Sequence, residues 1–152
     1  QLSPDGEAFL LSQPCQHLRF CLDDPAQFRR DAAKKGGLER ADVKVSELTC
    51  LSHDRLLVLE REARIARYYQ GSRCWCSLFR FVPHTGEKQL VGRWNTRFGV
   101  FNTRFSNYEG LCLGPRLQDG RLTLLMLTDS QCGYGRGPWH LRDRLRVVVL
   151  EP

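Results

Sequence analysis

Cysteine is the residue type of this sequence best suited to hold a transition metal, but the spacing of the cysteines does not form a metal site. Of the seven cysteines, Cys74 and Cys76 lie two positions apart in an expected strand, which places both on one face. Their spacing is not Cys-x-x-Cys and no second pair of suitable spacing follows, so zinc is not expected. Cys50 and Cys112 have leucine neighbours at matching positions of a repeat, which favours burial as small hydrophobic residues. The disulfide pairing of the seven is left open.

Histidine is the usual acid–base group at neutral pH, and the four histidines all fall in expected loops or turns: His17, His53, His84 and His140. We expect His53 and His84 in exposed hairpin turns, and we retain His140, after a glycine-rich loop, as a ligand-binding or acid–base candidate. No Gly-x-Ser-x-Gly motif is present, so a Ser-His-Asp hydrolase is not expected. The loop at 133–138 follows a β-run, which favours a flexible connection over a phosphate-binding loop.

Two glutamates, Glu47 and Glu109, occupy the same position of a segment that the sequence contains twice. The copies are Ser-Glu-Leu-Thr-Cys-Leu at 46–51 and Tyr-Glu-Gly-Leu-Cys-Leu at 108–113. A carboxylate that recurs at one position of a repeat is a candidate either for a shared site or for a shared structural role.

Each copy continues through an aspartate-containing turn into an apolar run, at 56–59 and at 124–127, and a shortened copy occupies 2–11. A strand, a turn and a strand repeated at a long period indicate a radial or stacked β architecture, most simply a β-propeller. The predicted strands are 43–51, 55–62, 74–82, 87–95, 108–114, 121–128 and 144–150.

The predicted fold class is therefore all-β, a partial β-propeller of about two four-stranded antiparallel blades with a remnant of a third. We assign residues 1–42 to a remnant strand pair and a long irregular connection, 43–95 to one blade and 96–152 to another. Propellers typically have 4–8 blades, so residues 1–152 are expected to be the C-terminal part of a larger single domain.

Composition excludes several other classes. With 41% hydrophobic and 26% charged residues the chain is globular rather than disordered, and no apolar run approaches the roughly 20 residues of a membrane span. No signal peptide is present in residues 1–11. The net charge is +6, but the arginines are scattered as on solvated strand faces, so nucleic acid is not expected as a partner. Arginine does permit an anionic ligand.

The second repeat resembles the phytase-like family described as "esterase-like activity of phytase". The resemblance rests on Ser106 to Pro115 (Ser-Asn-Tyr-Glu-Gly-Leu-Cys-Leu-Gly-Pro), Leu117 to Arg121 and Leu124 to Ser130, and in the first repeat on Val45 to Leu48 and Asp54 to Glu62. It extends over about 43–150, whereas residues 1–42 match poorly beyond the turn at 3–6. It implies a multi-bladed propeller, hydrolysis of phosphoesters or esters, and export by a bacterium to the periplasm or outside the cell.

Within that resemblance the best site candidates are Glu47 and Glu109, each ahead of the first apolar strand of its blade. Carboxylates gathered there would suit calcium, which takes six to eight oxygen ligands and would polarise a phosphoryl oxygen or activate water. The alternative is that both glutamates hydrogen-bond the neighbouring blade and hold the repeats in register.

Weaker metal candidates are Glu60 and Asp129, with Glu62, at the ends of the following strands, although we expect solvent exposure for these strand-end acids rather than a ligand role. Asn107 and Tyr108 are ligand-binding candidates, although Tyr108 would equally pack between blades. No catalytic residue is assigned.

Two functions remain open. The first is a phytase-like or esterase-like hydrolase, with metal-assisted cleavage of a small anionic or ester substrate. The second is a non-catalytic propeller module that binds a ligand or protein. The remaining blades of a full-length propeller are the other expected partner.

Overall fold

The computed structural model describes residues 19–22, 38–66, 70–99, 105–130 and 141–151, and these form seven strands and no helix. Within the described part of the chain the strands are β1 (Leu38–Ser52), β2 (Arg55–Ala66), β3 (Arg73–Val82), β4 (Glu87–Arg97), β5 (Tyr108–Leu113), β6 (Leu122–Thr128) and β7 (Leu145–Leu150). Each predicted strand is confirmed, and β1, β2 and β4 are longer than predicted.

The strands form two antiparallel sheets, one of four strands in the order β1-β2-β3-β4 and one of three in the order β5-β6-β7. Both are meanders in which every strand pairs with its neighbour in sequence. The second sheet has three strands among the described residues, where a four-stranded blade was predicted. The shortened repeat at 2–11 and the glycine-rich loop at 133–138 lie outside the described residues.

The turns that join the paired strands form where aspartate and glycine were noted. The Ser52 hydroxyl donates to Asp54 Oδ1 at 2.8 Å between β1 and β2. Before β6, Asp119 Oδ1 accepts the Arg121 backbone N–H at 3.1 Å, and Gly120 adopts a φ of 86°. Aspartate favours turns because its side chain bonds to the backbone two residues on, and a positive φ is available to glycine at little cost.

The core lies between the two sheets. Leu57 and Leu59 of β2 are 1% and 0% exposed, and they pack in one cluster with Tyr108, Leu124 and Met126 of the second sheet. Strands with one apolar face must bury it against another layer, and face-to-face stacking of small antiparallel sheets is how neighbouring propeller blades pack. The fold is thus all-β and of the propeller type, with no closed ring among the described residues.

A β-bulge interrupts the first strand of each sheet at corresponding places. In β1 the pairing shifts between Val45 and Glu47, which leaves Ser46 unpaired with β2. In β5 it shifts between Tyr108 and Gly110, which leaves Glu109 unpaired with β6. The structural counterpart of Glu109 is therefore Ser46, and the match of Glu47 to Glu109 is off by one residue.

Candidate functional site

Glu109 joins the two sheets. Its carboxylate accepts hydrogen bonds from Arg61 Nη1 at 2.6 Å and from Asn107 Nδ2 at 2.8 Å, and Lys44 Nζ lies 3.4 Å from both of its oxygens. The Arg61 side chain is only 6% exposed. Burial opposes the ionisation of Glu109, but the hydrogen bond and charge of Arg61, aided by Asn107 and Lys44, outweigh it and hold the pKa of Glu109 below its ordinary value.

Glu47 does not share this arrangement. Its Oε1 accepts the backbone N–H of Leu48 at 3.0 Å, and the side chain is half-buried. The position of the bulge explains the difference. Glu47 is paired with Leu59 of β2, whereas Glu109 lies in the bulge and is not paired with β6.

The described residues do not fit a calcium site. Across residues 19–22, 38–66, 70–99, 105–130 and 141–151, no three His, Cys, Asp or Glu side chains come close enough together to hold a metal ion. The oxygens of Glu109 already contact an arginine, a lysine and an amide, whereas calcium needs six to eight oxygen ligands. Calcium stays a prediction from the sequence, and no step below passes through it.

The predicted solvent exposure of the strand-end acids is wrong for Glu60 and Glu62. Both are buried, at 5% and 8% exposure. The reason is that β2 runs on to Ala66 instead of ending at the acidic residues. Because the two are separated by one residue, both point to the face of the four-stranded sheet opposite the core.

Glu60 has a specific cationic partner. Lys88 Nζ of β4 lies 3.0 Å from Glu60 Oε2, and it also donates to the Cys21 carbonyl at 2.9 Å. The same ammonium lies 4.0 Å from the ring centre of Phe79 and 4.6 Å from that of Phe20. The ammonium group is attracted to the electron-rich faces of the two rings. The aromatic contacts therefore stabilise this ion pair in addition to its opposite charges.

Glu62 has a strongly raised pKa. Burial, followed by the nearby charge of Glu60, raises the pKa of Glu62 from about 4.5 to about 7. Glu62 pairs across the sheet with Trp75, and Glu60 pairs with Ser77. The face therefore carries one carboxylate paired with a lysine and, beside it, one carboxyl group that holds its proton close to neutral pH.

The remaining polar candidates have structural surroundings. Tyr108 is 4% exposed, and its ring lies 6.1 Å from that of Trp94 in the core between the two sheets. The Asn107 side-chain amide donates to Glu109, and the Asn107 backbone carbonyl accepts the backbone N–H of Asp129 at 2.9 Å. Asp129 itself is exposed just after β6.

The burial of the cysteine side chains differs from the prediction. Cys50 and Cys112 are exposed, whereas Cys74 and Cys76 are fully buried between the sheets with their sulfur atoms 3.8 Å apart. The predicted burial of Cys50 and Cys112 is wrong because each lies on the face of its sheet that points away from the core cluster. The hydrogen bond with Cys74 and burial raise the pKa of Cys76, which favours an unreactive thiol.

His53 and His84 are exposed in turns, as predicted. His17 and His140 lie outside the described residues.

Sequence reasoning missed the role of Glu62 and Lys88. The acidic tail of the apolar run was interpreted as a strand end, although polar and apolar residues alternate from Glu62 to Ile65, as in a strand that continues. Lys88 carried no local signal, because its partner lies two strands away.

These features define an all-β protein of the propeller-blade class with a buried carboxyl pair on one sheet face. The chain belongs to the phytase-like family, described as "esterase-like activity of phytase", whose family model matches residues 1–131. The match includes residues 1–42, which the sequence patterns had left outside, and it stops before β7. No curated protein and no solved structure matches the sequence. None of the described residues forms a helix long and apolar enough to cross a membrane.

Proposed function

We propose that the protein is a hydrolase of phosphoesters or carboxylic esters and that Glu62, beside Glu60, is its acid–base group. Membership of the phytase-like family supports the reaction class. The observation that carries the assignment of residues is the carboxyl pair on β2, in which Glu60 is paired with Lys88 and Glu62 is buried next to it.

The environments of the two carboxyl groups suit different roles. General acid–base catalysis works best when the catalytic pKa lies near the working pH, and the pKa of Glu62 is about 7. Neighbouring carboxyl groups with different surroundings are the usual way in which one protein keeps an acid and a carboxylate side by side. In this proposal water adds to the phosphorus or acyl carbon as the bond to the alcohol oxygen breaks. The departing oxygen takes its proton from Glu62, and the proton that the attacking water loses returns to the Glu62 carboxylate.

A metal-assisted route through Glu47 and Glu109 is a separate proposal that rests on the repeat alone. The described geometry supports a structural role for Glu109 instead, since its carboxylate binds Arg61 and Lys44 of the other sheet. That contact also favours the second candidate function, a folded module that binds a ligand or protein without turnover.

A turnover assay separates these proposals. We expect the protein to hydrolyse phenyl phosphate or 4-nitrophenyl acetate. On phenyl phosphate, whose leaving oxygen needs a proton, Glu62→Gln should lose at least about 100-fold in kcat, the lower range for removal of an acid–base group. Glu87→Gln, an exposed glutamate at the start of β4, is the matched control. Turnover that is abolished by a chelator and restored by calcium would favour the metal-assisted route. Folded protein without turnover of either ester would favour the binding module.

Export to the periplasm or outside a bacterial cell is a proposal from family membership. Cell fractionation with an antibody against the chain tests it, and recovery of the protein in the cytoplasmic fraction alone would contradict it.

A further inference from the structure

Three arginines stand side by side across three strands of the four-stranded sheet. Arg64 of β2 is the direct partner of Arg73 of β3, and Arg73 is the direct partner of Arg97 of β4. Directly opposed residues of an antiparallel sheet project from the same face, with neighbouring Cβ atoms about 5 Å apart. The three side chains, here called the arginine row, therefore leave one face of the sheet together.

The arginine row has no acidic counterpart in the described part of the chain. None of its three members forms an ion pair with a described residue, and Arg64 Nε is buried without a hydrogen-bond partner. The Arg73 guanidinium lies 5.9 Å from the ring centre of Trp75. Like charges placed directly opposite each other destabilise a sheet, and a buried donor without a partner adds to that cost.

Several other described arginines have anionic or polar partners. Arg61 binds Glu109, Arg121 binds Asp119 and Glu151, and Arg80 donates to Gln89. These arginines have an acceptor among the described residues. The arginine row has none there, so its three charges are available to an anionic ligand.

We propose that the arginine row binds the phosphoryl group of a small phosphorylated ligand. Guanidinium groups match phosphate oxygens in bidentate geometry. A phosphate monoester carries a charge of about −1.5 to −2 at neutral pH, which offsets three adjacent cations better than a single carboxylate does. Trp75 flanks the row, and the Arg73 guanidinium lies over its ring.

The arginine row adjoins the carboxyl pair. Glu62 pairs with Trp75, and the next pair along β2 and β3 on the same face is Arg64 with Arg73. The assignment of the arginine row as the substrate site rests on the proposed function and restricts the substrate to phosphoesters. Phosphate binding to the row is measurable without turnover.

Isothermal titration of the full chain with inorganic phosphate, at constant ionic strength, tests the proposal. We expect saturable binding and an affinity at least about tenfold weaker in Arg73→Gln and in Arg97→Gln, the loss of one charge-assisted hydrogen bond. Arg55→Gln, at an exposed arginine that begins β2, removes the same charge and is expected to bind phosphate like the wild type. Because Arg97 is exposed, its variant remains folded even if Arg73→Gln does not.

A second readout excludes a general charge effect. Without phosphate, Arg97→Gln is expected to melt at the same temperature as the wild type or higher, because it relieves repulsion within the row. Absence of saturable phosphate binding, or an equal loss of affinity in Arg55→Gln, overturns the proposal. Phosphate binding without ester turnover contradicts the hydrolase alone, whereas turnover of 4-nitrophenyl acetate without phosphate binding contradicts the arginine row alone.

Discussion

Arg61 Nη1 of β2 lies 2.6 Å from Glu109 Oε1 of β5, and this contact joins the two sheets. The guanidinium is almost fully buried, so the carboxylate both neutralises it and satisfies a donor that water does not reach. Glu109 can reach across because a bulge leaves it unpaired with β6. Glu109, which the sequence repeat singled out, therefore links the two sheets.

Removing the charge of Glu109 should destabilise the fold. In Glu109→Gln the buried Arg61 loses the opposite charge of Glu109, and we expect the free energy of unfolding to fall by about 1–3 kcal/mol, less than for a fully buried pair because Glu109 is partly exposed. Urea denaturation measures the change. Glu151→Gln removes the exposed partner of Arg121 and should change stability by less than about 0.5 kcal/mol. Equal effects of the two variants would contradict a cross-sheet role for Glu109.

The raised pKa of Glu62 predicts a pH-dependent stability. Because the folded-state pKa is about 7 and the ordinary value about 4.5, the folded chain binds more protons than the unfolded chain between those values. The contribution of Glu62 is therefore greatest below about pH 4.5 and is lost as the pH rises through about 7, at up to about 1.4 kcal/mol per unit.

The measurement is the difference in unfolding free energy between wild type and Glu62→Gln across that range. Comparison with the variant cancels the titration of other carboxylates, although Glu60 and Lys88 must stay paired in both. A difference that does not change with pH would contradict a protonated, buried Glu62.

Corresponding leucines of the two sheets differ in burial. Leu59 and Leu127 each pair with the first residue after a bulge, but Leu59 is 0% exposed in the core and Leu127 is 51% exposed on the outer face of the second sheet. We expect Leu59→Ala to cost about 2–5 kcal/mol, the usual range for a buried leucine. Leu127→Ala, its matched control, should cost less than about 1 kcal/mol. Similar losses in thermal melts of the dilute protein would show that the outer face is also covered.

The strands were predictable because their signals are local. The alternation of apolar and polar residues and the Asp- and Gly-containing turns indicated all seven strands. The register was not predictable, because a bulge adds one residue without a sequence mark and a shift of one residue moves a side chain to the other face. The same shift separates Glu47 from Glu109.

The partners of the site residues were not predictable from the sequence for a related reason. The pairs Glu60–Lys88 and Arg61–Glu109 join residues far apart in the chain. The arginine row likewise depends on the register of three strands, and along the sequence its members look like scattered surface charges.

The pH dependence of phenyl phosphate hydrolysis, followed by the release of phosphate, tests whether Glu62 is the acid of a phytase-like hydrolase. We expect a kcat/KM that falls as the pH rises through about 7, the pKa of Glu62, while circular dichroism shows that the chain stays folded. In Glu62→Gln this limb should disappear together with most of the activity. Turnover that keeps its rate and its pH profile in Glu62→Gln would contradict the assignment.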